Sequence, residues 1–160
     1  MLKRKNYKKL KGKNLEESEK SFDVQNRKIK NSDLAEEIKK AAEGLYYISE
    51  TDAEILPFIG EQAKAVTKEE IIRQTKSAVD SPVEERDFAE FFARLTEIQD
   101  WFGDEEKETV QKFVRLKELL GKNLKELKVF KIGKIQLNVY IVGLDDESKL
   151  IGVKTKAVET

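Results

Sequence analysis

The spacing of apolar and polar residues predicts three short helices in the first two thirds of the chain. Asp33 and Glu36 have the spacing of an N-terminal capping box, and the apolar residues after them recur at helical intervals. Thr67 and Glu70 repeat this capping pattern, and Asp87 is placed to cap the third helix. The third helix carries an aromatic stripe that is typical of a core-facing surface. The members of the stripe are Phe88, Phe91, Phe92 and Leu95.

A fourth helix and three strands are predicted in the last third of the chain. The helix is expected to begin near Asp104 and to end at Gly121, because glycine favours helix C-termini. From Leu127 the apolar period changes from about 3.6 residues to about 2, which predicts two strands joined in a hairpin. An acidic turn separates this hairpin from a final strand over residues 150–158.

One more strand is predicted between the first two helices. Residues 54–59 contain Pro57, which lacks a backbone N–H and therefore belongs at a sheet edge or a bulge. Gly60 is expected to end this strand. Helices in the first part of the chain and a meander of strands in the last part predict an α+β domain, in which helices cover an antiparallel sheet.

The composition removes the side chains on which most enzymes depend. The 160 residues include no cysteine and no histidine, which excludes thiol nucleophiles, disulfides and the commonest transition-metal ligands. A carboxylate hydrolase built on Glu50 and Asp100 is the enzyme alternative, but no catalytic motif surrounds them. Charged residues make up 39% of the chain, and it has neither a long apolar run nor an apolar leader. These features predict a soluble, cytoplasmic protein that is not an enzyme.

Charge divides the chain into two regions. Residues 1–30 hold eleven Lys or Arg against four acids, whereas residues 31–160 hold 20 bases and 27 acids. The first region is predicted to be a mobile basic arm and the second a folded domain. Residues 80–106 carry ten acids and two arginines, which predicts a strongly anionic surface. The arm is a solvated tail in one interpretation, and a nucleic-acid or membrane-surface binder in another.

Short segments spread along the domain carry a family resemblance. They are Gly44-Leu45, Ser49-Glu50, Asp87-Phe88, Phe91-Phe92 with Arg94, Gln99-Asp100-Trp101, Asp104-Glu105-Glu106, Asn123-Leu124-Lys125, the hairpin Val129 to Gly143 and the ending Thr155-Lys156-Ala157-Val158-Glu159-Thr160. In order and spacing they resemble the nuclease A inhibitor family of cyanobacteria and other bacteria, whose members block sugar-non-specific nucleases of the ββα-metal type. The similarity covers about residues 34–160. The arm and residues 61–76 have no close counterpart, so the choice of partner is expected to differ.

The resemblance implies both a fold and a function. The implied fold is an α/β/α sandwich with a mainly antiparallel central sheet, similar to pathogenesis-related-1-like proteins. The implied function is that of a monomeric inhibitor, without a cofactor of its own, that binds its Mg²⁺-dependent DNA/RNA endonuclease 1:1. The alternative, based on the residues alone, is a nucleic-acid- or membrane-surface-binding module led by the basic arm.

The resemblance also implies that the C-terminus enters the nuclease active site and contacts the catalytic Mg²⁺. Thr160, preceded by Glu159, is the last residue, and it places a hydroxyl and a carboxylate close together. Mg²⁺ prefers such oxygen ligands. A frayed terminus is the alternative interpretation of these residues.

Two further interface positions follow from the resemblance. Glu50 is expected to meet an arginine of the nuclease through charged hydrogen bonds, or otherwise to be an ordinary solvated carboxylate. Gln99, Asp100 and Trp101 combine an amide, a charge and the only tryptophan, a set that suits an interface anchor. The alternative for Trp101 is a place in the core.

Overall fold

Four helices and seven strands make up residues 31–160, the part of the chain that the computed structural model describes. In chain order they are helix α1 (Asn31–Ala42), strands β1 (Tyr46–Ile48), β2 (Asp52–Glu54) and β3 (Leu56–Gln62), helix α2 (Lys68–Thr75), strand β4 (Val83–Asp87), helices α3 (Phe88–Leu95) and α4 (Asp104–Asn123), and strands β5 (Lys125–Gly133), β6 (Gln136–Leu144) and β7 (Lys149–Val158). The basic arm predicted for residues 1–30 lies outside the described residues.

Five of the strands form one antiparallel sheet in the order β3-β7-β6-β5-β4. Strands β5 and β6 are the predicted hairpin, and β6 pairs with β7 from Gln136 opposite Val158 to Leu144 opposite Leu150. Strands β1 and β2 pair with each other in a separate two-stranded sheet. The predicted α+β class is therefore confirmed, and Pro57 lies on the edge strand β3 as expected.

Helices cover both faces of the five-stranded sheet. Helix α2 packs on one face, where its Ile71 meets Phe130 and Ile132 in a buried apolar cluster. Side chains at alternate positions of the same strands, such as the fully buried Val129 and Ile141, point to the other face. On that face α1 contacts β3 and β7, α3 contacts β4 and β5, and α4 contacts both helices. The result is the three-layer α/β/α arrangement.

Two of the predicted helix caps are present. The Thr67 hydroxyl accepts a hydrogen bond from the backbone N–H of Glu70 at 3.1 Å, and the Asp87 carboxylate accepts one from Glu90 at 3.0 Å. Each cap satisfies a backbone donor that the helix itself leaves without a partner. In the aromatic stripe of α3 only Phe92 is fully buried, and the other three members are half-buried. The stripe therefore extends from the core to the surface.

Several element boundaries differ from the predictions. Strand β3 continues through Gly60, which is not in a turn but packs so closely that an added Cβ would lie 2.7 Å from the backbone carbonyl oxygen of Leu150. Helix α4 continues past Gly121 to Asn123, a residue whose burial favours the longer helix. Strands β1, β2 and β4 were not among the predicted elements. In residues 31–160, no helix combines the length and the apolar character that crossing a membrane requires.

Candidate functional site

The last residue of the chain is bound to the loop between β1 and β2. Oxygen Oε2 of Glu50 accepts a hydrogen bond from the backbone N–H of Thr160 at 2.7 Å and another from its hydroxyl Oγ1 at 2.8 Å. Hydrogen bonds to an ionised acceptor are short and roughly twice as strong as those between neutral groups. Glu50 and Thr160, 110 residues apart in sequence, therefore form one site.

These two hydrogen bonds also favour the ionised form of Glu50. The bond from the backbone N–H of Thr160 makes the largest contribution to lowering the pKa of Glu50 below its ordinary value, and the bond from the Thr160 hydroxyl adds to it. Glu50 is therefore ionised at neutral pH. It is also exposed to solvent, as is Thr160, so both remain within reach of a binding partner.

Residues 158–160 form the tail of the domain, and its first residue, Val158, is fixed to the same loop through its backbone. The N–H of Val158 donates to the Ser49 hydroxyl at 3.0 Å, and the N–H of Glu50 donates to the carbonyl of Val158 at 3.2 Å. The Ser49 hydroxyl in turn donates to the carbonyl of Thr51 at 3.3 Å. The end of strand β7 is thus held between its sheet partner β6 and the β1–β2 loop.

Glu159 is held from the opposite side of the tail. Its backbone N–H donates to the carbonyl of Ile135 at 2.9 Å, in the turn between β5 and β6. Its carboxylate oxygen Oε2 lies 2.9 Å from the Lys131 ammonium. The Lys131 side chain is only 11% exposed, whereas that of Glu159 is 42% exposed. In this structure the side chain of Glu159 is engaged within the domain.

A cleft of about 640 Å³ lies beside this tail. Glu50, Glu159 and Thr160 form part of its lining, and helix α3 contributes Phe91 and Arg94. The ring of Phe91 stacks on that of Tyr47, with centroids 5.6 Å apart and planes inclined by 15°. The remaining lining residues are Ile48, Ser49, Arg86, Asp87, Glu90, Leu95, Lys131 and Val158. The cleft therefore has an aromatic part surrounded by charges of both signs.

The predicted trio Gln99, Asp100 and Trp101 lies in the loop between α3 and α4 and does not line this cleft. The carbonyl of Gln99 accepts a hydrogen bond from the N–H of Phe102 at 3.1 Å, which shapes the loop as a tight turn. Trp101 is 74% exposed and packs edge-on against the ring of Phe102. Trp101 is therefore a surface residue and not part of the core.

Ser49 and Lys131 contact the tail but were not among the predicted site residues. The sequence does carry a signal for Lys131, because it follows Val129 by two residues on the same strand. Side chains at this spacing point to the same face of the sheet, which for Val129 is the buried face. A lysine at such a position needs a partner when the strand is buried. Among residues 31–160, no group of three or more Asp or Glu side chains is arranged to hold a metal ion.

Comparison with known proteins identifies the family. The model of the family described as nuclease A inhibitor-like protein matches residues 32–160, which is the whole of the described domain except its first residue. A search of curated proteins gives no match. The chain belongs to the nuclease A inhibitor-like family, a family of nuclease inhibitors.

Proposed function

We propose that this protein inhibits a sugar-non-specific, Mg²⁺-dependent endonuclease of the ββα-metal type by binding it 1:1 and occluding its active site. Family membership supports an inhibitor of nucleases in general. The observation that carries the finer proposal is the fixed position of Thr160 on Glu50. A tail that is already held on the surface of the domain is able to enter a partner's active site without first being ordered.

The chemistry of Thr160 suits a magnesium site. A terminal carboxylate and a neighbouring hydroxyl are hard oxygen donors, and Mg²⁺ takes such ligands at about 2.0–2.1 Å while it retains several waters. The contact with Glu50 uses the backbone N–H and the hydroxyl of Thr160 and not its carboxylate. In this proposal the carboxylate takes the place of a substrate phosphate oxygen, and the metal belongs to the nuclease.

Glu50 has two roles in the proposal. One oxygen, Oε2, receives both hydrogen bonds from Thr160. The other oxygen is directed to an arginine of the nuclease, which forms charge-assisted bonds of defined geometry with carboxylates. The placement of Thr160 and the recognition of the nuclease are thereby joined in one side chain.

The loop that carries Trp101 provides a second contact in this proposal. Exposed tryptophan is enriched among the residues that dominate binding energy, and Trp101 has charged and amide-bearing neighbours in Asp100 and Gln99. The surrounding anionic segment, residues 80–106, would meet the cationic groove with which such a nuclease follows phosphates. Opposite charge accelerates association at low ionic strength.

A stoichiometric titration tests the proposal. Increasing amounts of the protein are added to a fixed concentration of a sugar-non-specific endonuclease with Mg²⁺, and cleavage of plasmid DNA and of RNA is followed. We expect both activities to fall linearly to zero at one equivalent of inhibitor. The Trp101→Ala variant should weaken inhibition, whereas Val79→Ala, at another highly exposed apolar residue, should not. Undiminished cleavage at excess protein, with every endonuclease of this type that is tried, would contradict the proposal.

A further inference from the structure

Two side chains that contact the tail have no role in the proposed function as it stands. We propose that Lys131 and Ser49 are positioning residues, which fix the last three residues of the free inhibitor in the conformation that the nuclease binds. This inference rests on the proposed function for its biological meaning. In the free protein, Thr160 is then ordered because contacts hold the two residues before it.

Lys131 projects towards the tail from β5, an interior strand of the sheet. It lies on strand β5 between Val139 of β6 and Glu84 of β4, and its side chain is nearly buried. An ammonium group removed from water requires a charged or hydrogen-bonding partner. The neighbouring Glu84 is engaged by Arg86 at 2.7 Å, whereas Glu159 meets Lys131 at 2.9 Å. Burial of Lys131 therefore favours the tail conformation that brings Glu159 to it.

Ser49 acts one residue earlier in the tail. Its hydroxyl accepts from the N–H of Val158 at 3.0 Å and donates to the carbonyl of Thr51 at 3.3 Å, so both functions of the hydroxyl are used. The adjacent N–H of Glu50 donates to the carbonyl of Val158 at 3.2 Å. Ser49 thereby fixes the distance between the β1–β2 loop, which carries Glu50, and the end of β7, which carries Thr160.

The contacts are distributed so that each of the last three residues has its own anchor. Val158 is held by Ser49, Glu159 by Lys131, and Thr160 by Glu50. Fixing the backbone of a residue in one conformation costs conformational entropy. If the tail is ordered when the protein folds, this entropy is not lost again when the protein binds the nuclease. The affinity for the nuclease is then not reduced by the ordering of the tail. Loss of the Ser49 or the Lys131 anchor is therefore expected to weaken inhibition without removing any proposed contact to the nuclease.

The first test replaces Lys131 by methionine, which keeps the length and apolar stem of the side chain and removes the charge. The matched control is Lys128→Met on the same strand, since Lys128 faces the opposite side of the sheet and pairs with Glu85 at 3.7 Å. We expect Lys131→Met to raise the inhibition constant about tenfold, which corresponds to about 1.4 kcal/mol. The control should change it less than about twofold, a difference of ~0.4 kcal/mol.

A second variant tests the same ion pair in case Lys131→Met does not fold. Glu159→Gln breaks the same ion pair from its exposed side, and the reversed pair, Lys131→Glu with Glu159→Lys, should restore part of the lost inhibition. Loss of inhibition in Glu159→Gln alone would not separate positioning from a direct contact of Glu159 with the nuclease. For that reason each variant is also made in a protein that lacks Thr160, where a positioning residue should have less than about a twofold further effect.

The decisive readout is made on the free protein. The heteronuclear ¹⁵N NOE of the Thr160 amide should be close to that of strand β7 in the wild type, and should fall in Lys131→Met, in Glu159→Gln and in Ser49→Ala. An unchanged NOE in these variants, or effects that simply add to deletion of Thr160, would overturn the inference. If the wild type inhibits no endonuclease, the proposed function fails, and the NOE values still decide whether these residues order the tail.

Discussion

The addition of one glycine after Thr160 is the perturbation that best separates the terminal carboxylate from the rest of the tail. The extra residue moves the carboxylate by about 3.3–3.6 Å. The two hydrogen bonds to Glu50, at 2.7 and 2.8 Å, come from the backbone N–H and the hydroxyl of Thr160 and are retained. The contacts of Glu159 with Lys131 and Ile135 are retained as well. The change therefore alters the position of one charged group and leaves the anchors in place.

The magnitude follows from the metal geometry. A displacement of about 3.5 Å exceeds the whole Mg²⁺–oxygen distance of about 2.0–2.1 Å, so the carboxylate is no longer able to occupy its ligand position. Truncating one partner of a desolvated charged contact in an interface costs about 2–5 kcal/mol. Taking ~3 kcal/mol, we expect the inhibition constant to rise about 150-fold.

The assay is a tight-binding inhibition titration with the endonuclease, in which the extended protein is compared with the wild type and with Thr160→Ser. The serine variant keeps the carboxylate, the hydroxyl and the N–H, and loses one methyl group, which is worth about 0.8 kcal/mol when buried. It should therefore remain within about fourfold of the wild type. Equal inhibition constants for the extended protein and the wild type would refute the proposed carboxylate–metal contact.

Three further predictions concern stability, pH and the arm. Phe92→Ala should lower the free energy of unfolding by about 3–5 kcal/mol in urea titrations, because Phe92 is fully buried; a loss below ~1 kcal/mol would contradict its place in the core. The ¹³C shift of the Glu50 side-chain carboxyl should titrate with a midpoint below 4.5, since hydrogen bonds that lower the folded-state pKa of Glu50 are present above 4.5 and are lost only as the pH falls through that lowered pKa; a midpoint above 4.5 would argue against the contact. Deletion of residues 1–30 should leave inhibition intact while it weakens retention on DNA columns at low salt; loss of inhibition would instead assign the function to the basic arm.

Much of the fold could be predicted from the sequence, because its signals are local. Capping residues such as Thr67 and Asp87 act on backbone groups within one helical turn, and the alternation from Leu127 onwards sets the hairpin. Strand β4 carries no such signal. Four of its five residues are charged and exposed, and pairing with β5 holds them in a strand. Such tertiary pairing is not visible in the alternation of apolar and polar residues along the sequence. Gly60 misleads for a similar reason, since close packing and not a turn requires a glycine there.

The sequence singles out Glu50 and Thr160 as candidate residues but does not predict the contact between them. Glu50 and Thr160 were both expected at the interface with the nuclease, yet their direct bond depends on β7 running back to the β1–β2 loop. Lys131 was missed because a single lysine in a strand usually faces solvent. Its spacing of two residues from Val129 already indicates the buried face, and its side chain is only 11% exposed. Trp101 was undecided between core and surface, and its exposure depends on a loop whose conformation periodicity does not encode.

Under the proposed function Thr160 lies at the partner's catalytic metal, and paramagnetic broadening by a metal in that site tests this claim. The ¹⁵N-labelled protein is bound to an endonuclease that carries Mn²⁺ in place of Mg²⁺, and amide intensities are compared with those in the Mg²⁺ complex. We predict that the Thr160 amide is broadened beyond detection, whereas amides of helix α2, on the other face of the sheet from α3, keep their intensity. A Thr160 amide of full intensity in a complex that no longer cleaves DNA would contradict the claim.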